Sequence, residues 1–293
     1  MFIFVPMQAT PLIISFSGGR SSAYMCHMLQ KHYPEMPKAF VFANTGKERE
    51  ETLEFVDECD KRMGLNLVWI EAVINQERGI GVSYRIVDFE TASRKGEPFE
   101  AMIRKFGIPN KEFPHCNREL KTRPIGKYCK ELMGGGKYNT AIGIRIDEAG
   151  RANRKDSTKV YPLIDWFPTW EMQVRNFWAG QDYDLQLKDY EGNCDLCWKK
   201  SLRKRMTIIA ENPQVADQWQ QWELEQEGGY VFDRDGYTIA KIAAATKKPF
   251  RRAQDKYRQS QNILSLFPEI ETACALEGFN GDMDRESKCH CNE

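Results

Sequence analysis

The chain has no run of about eighteen apolar residues, the length an α-helix needs to cross a bilayer, so a membrane-spanning helix is not expected. It has no net charge either. Its 42 basic and 42 acidic side chains cancel, so the whole-molecule field announces no polyanion partner, although a local basic patch remains open. Histidine is scarce, and the four present (His27, His32, His115 and His290) show no i, i+4 metal spacing. Met1 to Phe16 lacks a basic start and a small-residue cleavage site and carries Pro6 and Pro11. That stretch reads as neither signal peptide nor anchor, which makes a cytoplasmic protein the expectation. Neither an internal repeat nor a low-complexity tract occurs. Nine cysteines without an export signal point away from a disulfide framework and towards metal ligation or thiol chemistry.

What is present is an alternation of short apolar runs and helical stretches. Leu12 to Phe16 reads as a buried strand stopping at Gly18-Gly19, and Ala39 to Ala43 and Leu65 to Ile70 as two more. Helices are expected after Ser21-Ser22, from Glu48 to Met63 and from Pro124 to Leu132, with a further strand at Thr140 to Ile144. This order predicts an α/β fold, a doubly wound and mostly parallel sheet with right-handed crossovers. Beyond Gly150 the alternation fades. Trp170 to Trp178, Lys199 to Ala210, Pro213 to Glu227 and Lys248 to Leu266 read as helices. The expected organisation is a nucleotide-binding α/β domain over 1–165 and a helical C-terminal region over 166–293.

Ser17-Gly18-Gly19-Arg20-Ser21-Ser22 lies between strand and helix. Two glycines let backbone approach a phosphate, the hydroxyls can donate to its oxygens, and the helix N-terminus favours negative charge. An anionic ligand is expected there. Arg145 follows the last predicted strand at its carboxyl end, where open α/β sheets bind ligands, and its fork could clamp a phosphate or sulfate. Arg151 and Arg154 on the same stretch read mainly as solvated charges. Arg118, Lys121 and Arg123 could stabilise a thiolate or an anion, whereas most of Lys199 to Arg205 reads as a solvated helix face. Phe167, Trp170, Phe177 and Trp178 read as helix-core aromatics.

Cys194-Asp195-Leu196-Cys197 can offer two thiolates to one metal from a single turn. A four-thiolate site needs Cys116 and one of Cys289 or Cys291 as well. By spacing alone, zinc and a [4Fe–4S] cluster are both open. Cys26, Cys59, Cys129 and Cys274 fall inside helical patterns and are assigned to packing.

Ser15-Phe16-Ser17-Gly18-Gly19 followed by Ser21-Ser22 resembles the PP-loop of the adenine nucleotide alpha-hydrolase superfamily. Asn44-Thr45-Gly46, the Cys116 to Lys121 segment, Gly143-Ile144-Arg145 and the Gly192 to Cys197 segment resemble its phosphoadenosine phosphosulfate (PAPS) reductase-like family, in the bacteriophage-encoded branch. The resemblance runs from about residue 12 to 205. Arg20-Ser21 stands where the ATP-pyrophosphatase members have Asp-Ser.

The resemblance implies an adenine nucleotide, ATP or PAPS with Mg2+ as a possible companion, held by Ser15, Ser17, Gly18, Gly19, Arg20, Ser21, Ser22, Asn44, Thr45, Gly46, Gly143 and Arg145. It favours an iron–sulfur cluster over zinc on Cys116, Cys194, Cys197 and Cys289 or Cys291. Arg145, Cys289 and Cys291 are then the candidate catalytic residues. The activity implied is sulfur transfer onto an acceptor such as a nucleic acid, in a host cytoplasm if the protein is phage-encoded. Two alternatives stand beside it. One is reduction of PAPS or adenylyl sulfate by a C-terminal cysteine; the other is a non-catalytic nucleic-acid or protein-binding accessory role. The sequence does not indicate an oligomeric state.

Overall fold

The computed structural model describes residues 10–226, 228–233 and 235–255. Cys274, Cys289, His290 and Cys291 lie outside them. Strand β1 (Leu12–Phe16) leads through the serine-glycine loop into α1 (Arg20–His32), then β2 (Lys38–Asn44), α2 (Glu50–Met63) and β3 (Val68–Ile74). Strand β4 (Val82–Val87), α3 (Glu97–Phe106), α4 (His115–Asn117), a π-helical turn over Arg118–Thr122 and α5 (Arg123–Leu132) follow. Then come β5 (Asn139–Ala141), a 3-10 turn over Ile146–Arg151, β6 (Lys159–Val160), α6 (Pro162–Asp165) and α7 (Glu171–Ala179). Helices α8 (Leu202–Glu211), α9 (Val215–Glu225) and α10 (Ile239–Ala245) complete the described chain.

The strands form one sheet in the order β4-β3-β2-β1-β5-β6, in which only the β3–β4 pair is antiparallel. The fold is therefore α/β with a mostly parallel sheet and a helical C-terminal region. The chain steps outward from β1 to β3 and returns to β5 on the other side of β1. That reversal opens a crevice at the carboxyl ends of β1 and β5.

Side chains of β1 alternate between two cores, as a pleated strand requires. Leu12, Ile14 and Phe16 pack with Met25 and Leu29 of α1 and Leu53 and Val56 of α2, while Ile13 faces Cys129 of α5. Helix α5 lies over β2, β3 and β4, so the adjoining face of β1 and β5 becomes the floor of a groove instead. The chain beyond residue 165 contributes to two cores. Val174, Trp178, Leu185 and Leu187 join the α1–α2 side. Trp198, Ile208, Trp219, Trp222 and Ile239 pack on Phe99, Met102 and Ile103 of α3.

Several boundaries differ from expectation for local reasons. Strand β3 starts at Val68 rather than Leu65, because Gly64 closes α2 in the left-handed region and Asn66 also has positive φ, 52°. The strand expected over 140–144 ends at Ala141, since Gly143 runs against α1 closely enough that a Cβ on it would lie 2.8 Å from Ser22 Cα. The helix expected from Lys248 does not form over residues 249–255, where Pro249 restricts the preceding backbone. Trp170 is 55% exposed at the start of α7, not a core residue. Strands β4 and β6 and helices α3 and α10 were not foreseen. Cys26, Cys59 and Cys129 are fully buried in the cores.

Candidate functional site

The loop between β1 and α1 is built on its own hydroxyls. Ser17 N–H donates to Ser22 Oγ at 3.2 Å, Ser22 Oγ donates to the Gly19 carbonyl at 2.9 Å, and the Ser17 and Ser22 hydroxyls are 2.9 Å apart. Gly18 has φ +79°, and a Cβ there would stand 2.7 Å from Thr52 Cγ2. Gly19 caps the thirteen-residue helix α1 without a side-chain hydrogen bond to its first turn. The helix N-terminus thus carries its dipole with no N-cap side chain on its donors, and Arg20 and Ser21 of its first turn line a cavity of about 160 Å3.

Arg145 comes to this loop from the end of the β5 segment. Its Nη1 donates to Ser21 Oγ at 2.7 Å, while Nε and Nη2 fork onto Asp147 at 3.0 and 2.7 Å. Burial pushes the Asp147 carboxyl up, but the Arg145 hydrogen bonds and charge outweigh burial and hold it below the ordinary range. Arg20 turns elsewhere. Its Nε and Nη2 bind the Asp184 carboxylate at 2.6 and 2.9 Å and Nη2 also donates to the Leu185 carbonyl. The indole of Trp178 donates to the Arg20 carbonyl at 3.0 Å.

Asn44, Thr45 and Gly46 form a buried turn, of which Thr45 lines a small cysteine pocket. Asn44 Nδ2 donates to Glu71 Oε1 at 2.7 Å and to the Ser93 carbonyl at 2.8 Å, and its Oδ1 accepts from Gly46 N–H at 3.0 Å. Thr45 donates through both N–H and Oγ1 to Glu48 Oε2, each at 2.7 Å.

Two cavities meet beside the loop. The larger, about 720 Å3, runs over β1 and β5, with Ser15, Ser17, Asn117 and Lys121 at the loop end. That volume is in the range of small-molecule sites. The smaller, about 40 Å3, is lined by Cys116, Cys194 and Cys197 together with Phe99, Leu120 and Lys199. Asn117 and Lys121 belong to both walls. Lys121 also pairs with the buried Glu48 at 3.1 Å.

The cysteine segment is pinned from three sides. Cys194 forms an isolated antiparallel bridge with Glu48, and Arg49 N–H donates to the Asn193 carbonyl at 2.8 Å. Asn193 Nδ2 donates to the Ser17 carbonyl at 2.6 Å, joining this segment to the serine-glycine loop. Asp195 accepts from Lys47 at 2.9 Å and from the Trp219 indole at 3.0 Å. Burial, then Cys197, Glu48 and Asp195, push the Cys194 thiol well above its ordinary value, and Lys200 opposes them. A bound cation would reverse that balance, because thiolates are the ligating form. Among the described residues no group of three or more His, Cys, Asp and Glu side chains stands at metal-holding spacing.

Of the residues named from sequence, Ser15 and Ser17 line the groove, Arg20, Ser21 and Arg145 line a separate cavity of about 160 Å3 with Glu171, Arg175 and Asp189, Gly143 lies against Ser22, and Cys116, Cys194 and Cys197 share one pocket. Arg118 and Arg123 instead bind the buried Glu119 at 2.8 and 2.7 Å. Arg205 and Lys200 are buried rather than solvated. His115 is buried against the Gly107 carbonyl. Asn193 was read only as part of the Gly192 to Cys197 segment, and Glu48 and Asp184 were given no role at the site. The partners of Asn193 and Asp184 lie more than 160 residues away, and no local pattern signals them.

The family described as Phosphoadenosine phosphosulfate reductase domain matches residues 11–88, from β1 through β4. The chain is 35% identical over 196 residues to the uncharacterized nin region protein ORF290 of Escherichia phage lambda, covering 66% of this chain and 67% of that protein. The chain belongs to the PAPS reductase-like family, in its bacteriophage branch. It is also similar to a phosphoadenosine 5'-phosphosulfate reductase of Thiocapsa roseopersicina, 28% identical over 53% of this chain and 57% of that one. A crystal structure of PAPS reductase from Candida auris matches at 14% identity and a TM-score of 0.35, over 57% of this chain and 71% of that chain, too distant a likeness to transfer any residue. No described helix of this family member is long and apolar enough to cross a membrane.

Proposed function

We propose that this chain is an adenine-nucleotide-binding enzyme of sulfur metabolism or sulfur transfer. It would hold ATP or a related adenylate at the Ser17–Ser22 loop and handle sulfur in the adjoining cysteine pocket. The observation that carries this reading is the shared wall: Asn117 and Lys121 line the nucleotide end of the groove and the thiol pocket at once. The first-turn N–H groups of α1 and the serine hydroxyls suit phosphate oxygens. Arg145, held by Asp147, sets the Ser21 hydroxyl for the same anion and adds charge close by. Mg2+ would accompany a bound polyphosphate. Lys121 places a cation between phosphate and thiols, where it can stabilise negative charge on either side.

The pocket's donor set fits a thiophilic metal centre, with a cysteine pair on one turn, a third cysteine opposite, and Lys121 and Lys199 to balance anionic thiolates. Cys116, Cys194 and Cys197 would supply three ligands, and Cys289 or Cys291, outside the described residues, the fourth. A [4Fe–4S] cluster so held supplies iron that can carry electrons or bind sulfur; zinc in the same ligands would serve structure alone. A second reading, reduction of PAPS or adenylyl sulfate with a tail cysteine as nucleophile, is favoured by the matched family description over 11–88 and by the named Thiocapsa relative.

Anaerobic purification with visible spectroscopy, metal analysis and nucleotide calorimetry tests the proposal. Near 400 nm absorbance, iron with sulfide and saturable ATP or PAPS binding are expected. A folded protein binding neither nucleotide would overturn it. Thioredoxin-dependent release of sulfite from PAPS would select the second reading.

A further inference from the structure

The groove does not stop at the loop. The groove touches Thr10 just before β1 and Ser17 just after it, so it runs the length of that strand, about 20 Å at ~3.3 Å per residue, from the carboxyl ends of the strands to their amino ends. The usual ligand position in such a sheet accounts only for the carboxyl end. The far end is walled by Thr10, by the Gly136–Asn139 approach to β5 and by the Asp156–Lys159 approach to β6. Its chemistry is distinct. Lys137 and Lys159 line it, against a single acid among the lining residues, Asp156, whose Oδ1 is engaged by Thr158 N–H at 3.1 Å and Thr158 Oγ1 at 2.6 Å. Ser157 and Thr140 add hydroxyls, and Tyr138 brings a half-buried ring to the same wall.

We infer that this far end binds the backbone of a single-stranded nucleic acid, laid along β1 and β5 with one nucleotide advanced towards Lys121 and the cysteine pocket. Lysines and hydroxyls at spaced positions suit successive phosphates, and an aromatic ring in the wall suits a base. An acidic peptide would use the lysines but has no use for the ring. This site deepens the proposed function, on which it rests for the meaning of the advanced nucleotide, by naming the acceptor class. It does not depend on that reading for binding itself. The local charge also explains how a chain of zero net charge could still hold a polyanion.

The test is fluorescence anisotropy of a labelled eight-nucleotide single-stranded DNA, and of its RNA equivalent, on the full chain across a salt series. Binding is expected to weaken steadily as salt rises. The double variant Lys137→Glu/Lys159→Glu should bind the oligonucleotide at least ten-fold more weakly while retaining the parent's affinity for ATP. Gly19→Val should do the reverse, losing ATP and keeping the oligonucleotide, so failure of the loop reading is distinguishable from failure of this one. The inference is overturned by a parent that does not retain the oligonucleotide, or by a double variant that retains it unchanged. Equal displacement by inorganic tripolyphosphate or by an acidic peptide at matched charge overturns it too.

Discussion

Arg20 shows how one residue's role depends on a distant partner. Its guanidinium is only 18% exposed and is held by Asp184 across the entrance of α1, so its first effect is on the shape of the loop. Arg20→Ala should lower stability by about 1.5–3 kcal/mol in urea unfolding, as expected for charge-assisted hydrogen bonds. Asp184→Asn should reproduce most of that loss, and the double variant should lose little more than either single one. Additive losses would show that Arg20 acts independently of Asp184. Gly143→Ala is a sharper perturbation, because the new methyl would meet Ser22 backbone rather than a side chain that can rotate away. Nucleotide affinity should fall at least ten-fold in calorimetry while the circular dichroism spectrum stays native. Asp147 carries the pH dependence of the Arg145 arm. Its folded pKa is depressed, so its contribution is fully present above the unfolded value of about 3.9 and is lost as pH falls through the lower folded value. Asp147→Asn should therefore reduce stability at pH 7 and flatten the acid limb of the unfolding profile below about pH 4.

At the scale of elements, the cysteine turn is the sharpest test. Cys194→Ser or Cys197→Ser should abolish metal binding in anaerobically prepared protein, whereas Cys129→Ser should leave the metal content intact and cost only core packing. Metal retained in full by both turn variants would remove the pocket from consideration. The turn was legible from its spacing, and the position of the serine-glycine loop from the β-branched run before it and the helix after it. The first two strands and α2 were equally plain, because continuous apolar runs and a strong helical stripe leave little choice. Strand β4 was not, since its residues are half exposed and its place on the edge is fixed by antiparallel pairing with β3, a non-local fact. Strand β6 has two residues and no pattern to read. The Asn44 turn was legible as a feature but not in its orientation. Only the burial of Glu71 beneath it shows that Asn44 points into the protein.

Across the whole molecule, the two cores meet where chemistry is proposed. Helix α9 reaches the cysteine turn through the Trp219 indole on Asp195, and the same turn reaches the loop after β1 through Asn193 on Ser17. The C-terminal helices are thereby fastened to the serine-glycine loop through three residues of chain, Asn193 to Asp195. If metal fixes Cys194 and Cys197, it also stiffens the segment that holds the Ser17 carbonyl. The two ligands must then influence each other by one common factor, since the free energy of binding both cannot depend on the order in which they arrive. A chelator that strips the metal should weaken ATP binding, and saturating ATP should strengthen retention of the metal by the same ratio. Asn193→Ala should bring that ratio close to one while leaving each ligand able to bind alone. A hydrogen bond of 2.6 Å between a side-chain amide and a loop carbonyl would then make occupancy of the cysteine pocket a condition under which a nucleotide is held, so that a chain stripped of metal there would also let the nucleotide go.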